Sequence, residues 1–393
     1  MAIPTPSQRS RERSADTALH AGYEIVIVGS GVAAAALAFA LAQRHGLRDI
    51  AVLKPPHAVG VAPGPAVLRQ SHEAPAMVAL ASAAVQAYRG LPRALRAEMS
   101  PLVRPLLELA FTPAGLARAN RLADTASHLG GKAWLVPPLE VRSHLPFARL
   151  GGEPPLLGAL FEPAVTVFDR RGLARALTTA AAERGVQFLE AVPVEEVLFE
   201  GDTAIGVRTT TATVRAKSIV LAPEGALPRF AGLELPGLAG LAETLLIESE
   251  PAGPAFAAVA VSRRFGTLAQ DDLGCTALSA IVPAGREPSA ARVAHLAALV
   301  EAAPGLGGLL LRRELRSRIL PTLDGAPIAG RLRPGLHLLA GLGFENAALA
   351  LPAAEALAGE IAGGAAPTLL APLAPARFAA GRLLAAPAGM LAA

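Results

Sequence analysis

The run Tyr23-Glu24-Ile25-Val26-Ile27-Val28-Gly29-Ser30-Gly31-Val32-Ala33-Ala34 decides how the chain is read. Its β-branched first half has the composition of a buried parallel strand, two glycines end it, and the Ala/Leu-rich residues 32–44 favour a helix. Gly29-x-Gly31-x-x-Ala34 thus follows a predicted strand and opens a predicted helix. That placement lets backbone N–H groups and the helix N-terminus approach a pyrophosphate. A tight turn with no nucleotide would use the same glycines, because glycine is permissive at any sharp bend. Residues 25–42 carry no charge over eighteen positions, the lower edge of a membrane span, but the glycine break divides them into strand and helix.

A second strand over 47–53 completes a βαβ unit. The dinucleotide fingerprint expects an acid at its end to hold the ribose hydroxyls, and Lys54 stands there. A lysine could meet a 2′-phosphate, mark a site that has lost its grip, or be a solvated loop residue. Residues 55–66 form a Pro/Gly loop. Helices are expected at 74–87 and 93–108. Asp169 is a plausible N-cap for a helix over 170–184, Gly185 ends it, and 186–189 is a strand. Alternation over 194–220 predicts a small antiparallel meander ending in a buried strand at 218–222. Strand-like runs fill 243–282, a helix follows at 290–303, and a strand at 332–341 leads into an apolar helix at 347–362.

Composition narrows the classes. Three hundred and ninety-three residues imply two domains or one large interrupted domain. The hydrophobic share is 52% with only 4% aromatic, so Ala, Leu and Val fill the core. A thinly spread net charge of +4 gives no basis for a nucleic-acid partner. Arg9, Arg11 and Arg13 mark residues 1–21 as a disordered basic tail rather than a signal peptide. The single Cys275 excludes an internal disulfide or a thiolate metal cage and fits a reducing, cytoplasmic setting. No two of the eight histidines have metal-ligand helical spacing, and neither a Gly-x-Ser-x-Gly elbow nor a Gly-Lys-Ser/Thr loop occurs, so metal, hydrolase and ATPase readings fall.

The far end carries the most specific pattern: Pro321-Thr322-Leu323-Asp324-Gly325-Ala326-Pro327-Ile328-Ala329-Gly330, then Ala340-Gly341-Leu342-Gly343-Phe344-Glu345-Asn346-Ala347, closing on Pro375-Ala376-Arg377-Phe378. With the Gly29–Gly31 turn, these stretches resemble the glycine oxidase and sarcosine oxidase family of FAD-dependent amine oxidoreductases, the D-amino-acid-oxidase-like group, over roughly residues 22–378. The resemblance implies non-covalent FAD. Its pyrophosphate would lie at Gly29, Ser30, Gly31 and Ala34, its ribose near Lys54 and its adenine near Val194. The flavin would pass Asp324 and meet the turn of Gly341, Gly343, Phe344, Glu345 and Asn346. Ala66-Val67-Leu68-Arg69-Gln70-Ser71-His72 resembles the sarcosine-oxidase stretch in which an Arg clamps a substrate carboxylate. Arg69 is the candidate clamp, suited by its bidentate fork, and His72 its neighbour, although an ordinary loop Arg and His fit the same residues.

Several positions depart from the family: Lys54 replaces an acid, Glu224 interrupts an expected Ala-x-Gly turn, Glu345 stands where glycine oxidases carry Arg, and Ala347 replaces a glycine. Ser317 stands near where some sarcosine oxidases attach flavin through Cys, and Ala348 replaces their lysine beside the flavin. The expected fold is α/β: a Rossmann-like FAD-binding domain from discontinuous segments (22–88, 163–232, 321–378) with an inserted antiparallel-sheet substrate domain (89–162, 233–320). An apolar tail (379–393), the only part offering membrane contact, would follow. The expected activity is oxidation of a small amine or amino acid, by hydride transfer to flavin N5, giving an imine. A cofactor-degenerate partner subunit of a multi-subunit flavin dehydrogenase is the alternative, and a homo-oligomer is also left open.

Overall fold

The computed structural model describes residues 19–384 apart from 57–60, 147, 149–153, 226–229, 231–232, 253–255, 283–286 and 365–367. The arginines at 9, 11 and 13 and residues 385–393 of the expected apolar tail lie outside the described residues.

Among the described residues seventeen strands form two sheets. In chain order they are β1 (Gly22–Gly29), β2 (Ile50–Leu53), β3 (Pro65–Leu68), β4 (Leu102–Ala110), β5 (Trp134–Val136), β6 (Gly158–Asp169), β7 (Gln187–Leu189), β8 (Val194–Glu200), β9 (Thr203–Thr209), β10 (Thr213–Ala222), β11 (Ala242–Ser249), β12 (Val259–Ser262), β13 (Gly266–Gln270), β14 (Thr276–Val282), β15 (Leu311–Ile319), β16 (Ile328–Arg333) and β17 (Leu336–Ala340). The first sheet runs β16-β17-β10-β1-β2-β7, with the β8–β9 hairpin laid against β10. From β17 to β7 its strands are parallel, and β16 is antiparallel. β1 is central and buried on both faces, which is why its β-branched run needs no polar alternation. The helix Gly31–Phe39 packs between this sheet and the helices Arg170–Ala182 and Ala350–Ile361, with Leu37 and Phe39 fully buried, and burial of such a side chain contributes about 1.5–3 kcal/mol.

The second sheet runs β15-β11-β14-β13-β12-β4-β6-β3, with β5 added to β6. All its pairings are antiparallel except β12 on β4. Residues 65–68 and 166–169, expected in the nucleotide-binding part, pair with each other inside this sheet. β3 therefore ties the two halves together, since it also touches the turn Glu345–Leu349 that follows β17.

The helix expected over 93–108 is corrected. A helix covers only Arg93–Glu98, and the rest becomes β4. Pro101 and Pro105 explain the break, because proline lacks an N–H and clashes inside a helix. In β4 the register shifts between Arg104 and Leu106, so Pro105 sits at an irregularity that strands tolerate. The expected 332–341 strand is in fact the hairpin of β16 and β17. Asp169 caps the helix Arg170–Ala182 as expected, accepting from Arg171 N at 3.3 Å and Gly172 N at 2.8 Å. Among the described residues no helix is long and apolar enough to cross a membrane.

Candidate functional site

Four parallel strands end side by side, β1 at Gly29, β2 at Leu53, β10 at Ala222 and β17 at Ala340. The crevice beyond the carboxyl ends of such strands is where open α/β sheets bind ligands. A side chain at position 29 would overlap the Ala222 carbonyl, and Gly31 adopts φ +80°, so both turn positions require glycine. A Cβ on Gly31 would also overlap the carboxylate of Glu224, and one on Gly343 would lie 2.6 Å from its Cγ. Glu224, two residues beyond β10, thus inserts between the glycine turn and the turn after β17, over the N-terminus of the helix Gly31–Phe39.

Glu224 is 6% exposed, and neither carboxylate oxygen completes a hydrogen bond. Burial pushes its pKa up to about 7, against the pull of the nearby Val32 and Ala33 N–H groups and the Arg170 charge. Ser30, the helix N-cap residue, makes no side-chain cap bond, leaving those N–H groups to face the Glu224 carboxylate.

Arg170 fills the neighbouring space. It opens its helix, 1% exposed, with Nε donating to the Gly64 carbonyl at 3.1 Å and Nη2 to Ser279 Oγ at 2.9 Å. Its guanidinium lies 4.4 Å from the centre of the Phe344 ring. Burial lowers its pKa to about 10, with the charges of Glu224, Asp169 and Glu345 acting the other way.

Arg69 follows β3 and enters a cluster of charges. Its Nη2 donates to Glu108 Oε2 at 2.5 Å and its Nε to Ser71 Oγ at 3.0 Å. Arg118 pairs with the other Glu108 oxygen and, at 2.8 Å, with Glu73. Burial would raise the Glu108 carboxyl, but the two guanidiniums win and hold it below the usual range. Glu162 goes up, because burial outweighs the bonds it accepts from Gln70 N at 2.8 Å and Ser71 Oγ at 2.8 Å. Glu345 has an accessible side chain yet sits deep enough for desolvation to raise its pKa, with Arg69, Glu108 and Arg118 within electrostatic reach. His72 is held neutral: burial first, then Arg69, lower its pKa to about 3, and its Nε2 donates to the Arg69 carbonyl at 3.1 Å.

The remaining candidates lie as follows. Lys54 pairs with Glu190 at 2.6 Å, and its backbone is bound on both sides by Leu189 and Val192. Val194 begins β8 opposite Thr209. Ala34 is buried inside the first helix. The buried Asp324 carboxylate receives two 2.9 Å bonds from Arg377 and further bonds from Ala326 N and Leu384 N, which hold its pKa low against burial. Asn346 ties two loops by donating to the Gly325 and Gly341 carbonyls at 2.7 and 3.0 Å. Gly341 has φ +76°, with Thr322 Cγ2 2.6 Å from where its Cβ would be. The structure thus brings Gly29, Ser30, Gly31 and Gly343 together around Glu224, and Arg69, His72 and Glu345 around Glu108. Lys54, Val194 and Asp324 are held elsewhere.

Arg170, Glu108 and Glu190 were missed from sequence. Arg170 offers a signal, since a cation in the first turn opposes the helix dipole and needs another reason to be there. Glu108 is a lone charge in Leu106-Leu107-Glu108-Leu109-Ala110, another detectable anomaly.

A cradle that closes on a carboxylate where the fingerprint expects phosphate fits a dinucleotide's anionic centre once Glu224 withdraws. Comparison with known proteins gives the family. The chain is 28% identical over 221 residues to sarcosine oxidase subunit beta of Arthrobacter sp, covering 54% of this chain and 55% of that protein. It is 37% identical over 84 residues to D-amino acid dehydrogenase of Paramagnetospirillum magneticum, covering 21% and 20%. These alignments span at most little more than half of those relatives. Among solved structures, L-proline dehydrogenase from P. horikoshii superposes with a TM-score of 0.78 at 19% identity, covering 93% of this chain and all of that one. Glycine oxidase from Geobacillus kaustophilus gives 0.78 at 20%, covering 91% and 99%. The family model for FAD dependent oxidoreductases matches residues 24–359, and the chain therefore belongs to that FAD-dependent family.

Proposed function

We propose that the chain oxidises a small amine or amino acid with FAD. The observation that carries this is the glycine turn, with its anion seat at the carboxyl end of β1, lying beside a half-buried cluster of paired charges. The pyrophosphate would be held by Gly29–Gly31 and the Val32 and Ala33 N–H groups, and the flavin by the turn from Gly341 to Asn346. FAD, when bound, supplies the two-electron acceptor. The chain's own residues bind and orient the substrate. Glu108 and Glu345 offer negative charge to an ammonium, Arg69 is restrained by Glu108, and His72, neutral with its Nε2–H given to the Arg69 carbonyl, can accept a hydrogen bond through Nδ1 without adding charge. The test is the visible spectrum of the purified full chain after incubation with FAD, followed by anaerobic addition of an amine panel. A flavin band bleached by an amine supports the proposal, and a band no amine alters refutes it.

A second reading, a cofactor-degenerate partner subunit, is favoured by Glu224 in the anion seat and by the Lys54–Glu190 pair. It predicts a colourless protein with no rise in Tm on adding FAD. The subunit names of the sarcosine oxidase relatives supply the kind of assembly it would join, and a homo-oligomer remains the simpler arrangement.

A further inference from the structure

The dinucleotide turn already holds an anion, and that anion belongs to the chain. The helix N-terminus at Gly31 faces a carboxylate 6% exposed, with both oxygens lacking a hydrogen-bond partner, pressed against the two glycines whose missing side chains make the room. The charged group facing it is Arg170, while the helix Gly31–Phe39 contributes none and Glu345 couples to Arg69, Glu108, Arg118 and Arg170 instead. A diphosphate and a carboxylate seek the same positive end of the helix, and two anions cannot share one seat. We propose that Glu224 is an internal ligand of the dinucleotide turn, which the diphosphate of a flavin dinucleotide must displace. The inference rests on the FAD reading above and adds to it a competitor built into the chain.

An ordinary remote helix cap would look similar at first, since Ser30 caps nothing with its side chain. The two roles separate by what removal does. Losing a cap lowers stability and leaves nucleotide affinity alone. Losing a competitor raises affinity, because the free energy spent on expelling it is no longer subtracted from binding.

The experiment titrates FAD into the full chain by quenching of flavin fluorescence, and ADP as a diphosphate without flavin by calorimetry. Wild type is compared with Glu224→Gly, which empties the seat, and Glu224→Gln, which keeps the volume and removes the charge. The expected result is at least tenfold tighter binding of both probes by Glu224→Gly, with Glu224→Gln between it and wild type. If Glu224→Gly does not melt cooperatively, a gain in Glu224→Gln alone carries the same conclusion. Equal affinities in wild type and variants, with FAD bound tightly by all, overturn the competitor and leave the FAD reading standing. Absence of both FAD and ADP binding in all three overturns both, whereas tighter ADP binding by the variants with no FAD bound upholds the competitor and refutes the FAD reading.

Discussion

At the residue scale Glu224 is a buried carboxyl whose environment disfavours its charge, and this has a consequence measurable without any ligand. Its folded pKa, about 7, lies above its ordinary value of 4.5. The folded chain therefore holds the proton more tightly than the unfolded chain, and stability falls as pH rises from about 4.5 to about 7. Above that window the loss is complete, on the order of 3 kcal/mol from the size of the shift. His72 and His337, lowered by burial to about 3 and about 4, act in the opposite sense, since each must be neutral when folded and loses stability as pH falls below 6.5. The test is the difference between wild type and Glu224→Gln in urea unfolding across pH 4 to 8. The variant should become relatively more stable with rising pH up to about 7, and a flat difference would sink the assignment. Position 31 offers a second test. Valine there would collide with the Glu224 carboxylate at a φ of +80° that a β-branched residue avoids, so Gly31→Val should abolish FAD binding and lower Tm. Full flavin occupancy in that variant would exclude this turn as the pyrophosphate seat.

At the element scale the Asp324–Arg377 pair fastens the last helical turn to the loop before β16. Both side chains are buried, 0% and 4% exposed, and Arg377 also donates to the Leu373 carbonyl at 2.7 Å. Removing one partner strands a buried charge, so Asp324→Ala should cost about 3–5 kcal/mol in chemical denaturation. A loss below about 1 kcal/mol would show that the clasp contributes little. Sequence resemblance picked out both stretches, Thr322–Gly325 as a neighbour of a flavin and Pro375–Phe378 as the family's end. That they bind each other was not legible, because the partners stand 53 positions apart and nothing local pairs them. The same holds for Lys54 with Glu190, 136 apart, and Arg69 with Glu108, 39 apart. What could be read was local and periodic: the β-branched run of β1, the glycine turn, and the Asp169 cap. The helix expected over 93–108 ran across Pro101 and Pro105, whose backbone chemistry decided the outcome.

At the scale of the whole molecule, the place where β3 meets the turn after β17 gathers charge from both sheets. β3 delivers Arg69, β4 Glu108, β6 Glu162, the turn after β17 Glu345, and the helices Pro75–Arg89 and Pro113–His128 with their flanks supply Glu73 and Arg118. Four carboxyls thus meet three guanidiniums, Arg170 reaching Glu345 from the neighbouring site, and Arg69 and Arg118 are both already paired with Glu108. A substrate carboxylate entering here would have to take Arg69 from a buried partner that keeps its charge, whereas an ammonium meets a field of its own counter-sign. We therefore predict that the native protein, once loaded with FAD, prefers amines without a carboxylate over the corresponding amino acids. Glu108→Gln, which loosens Arg69 while preserving shape, should move the kcat/KM ratio toward the amino acid by tenfold or more, most of it in KM. Arg69→Lys should leave amine turnover nearly unchanged in the native background, because the guanidinium there serves Glu108 rather than the substrate. If the native protein instead prefers amino acids and loses that preference in Arg69→Lys, Arg69 exchanges Glu108 for substrate on binding, and the resting pair is a latch rather than a fixed part of the wall.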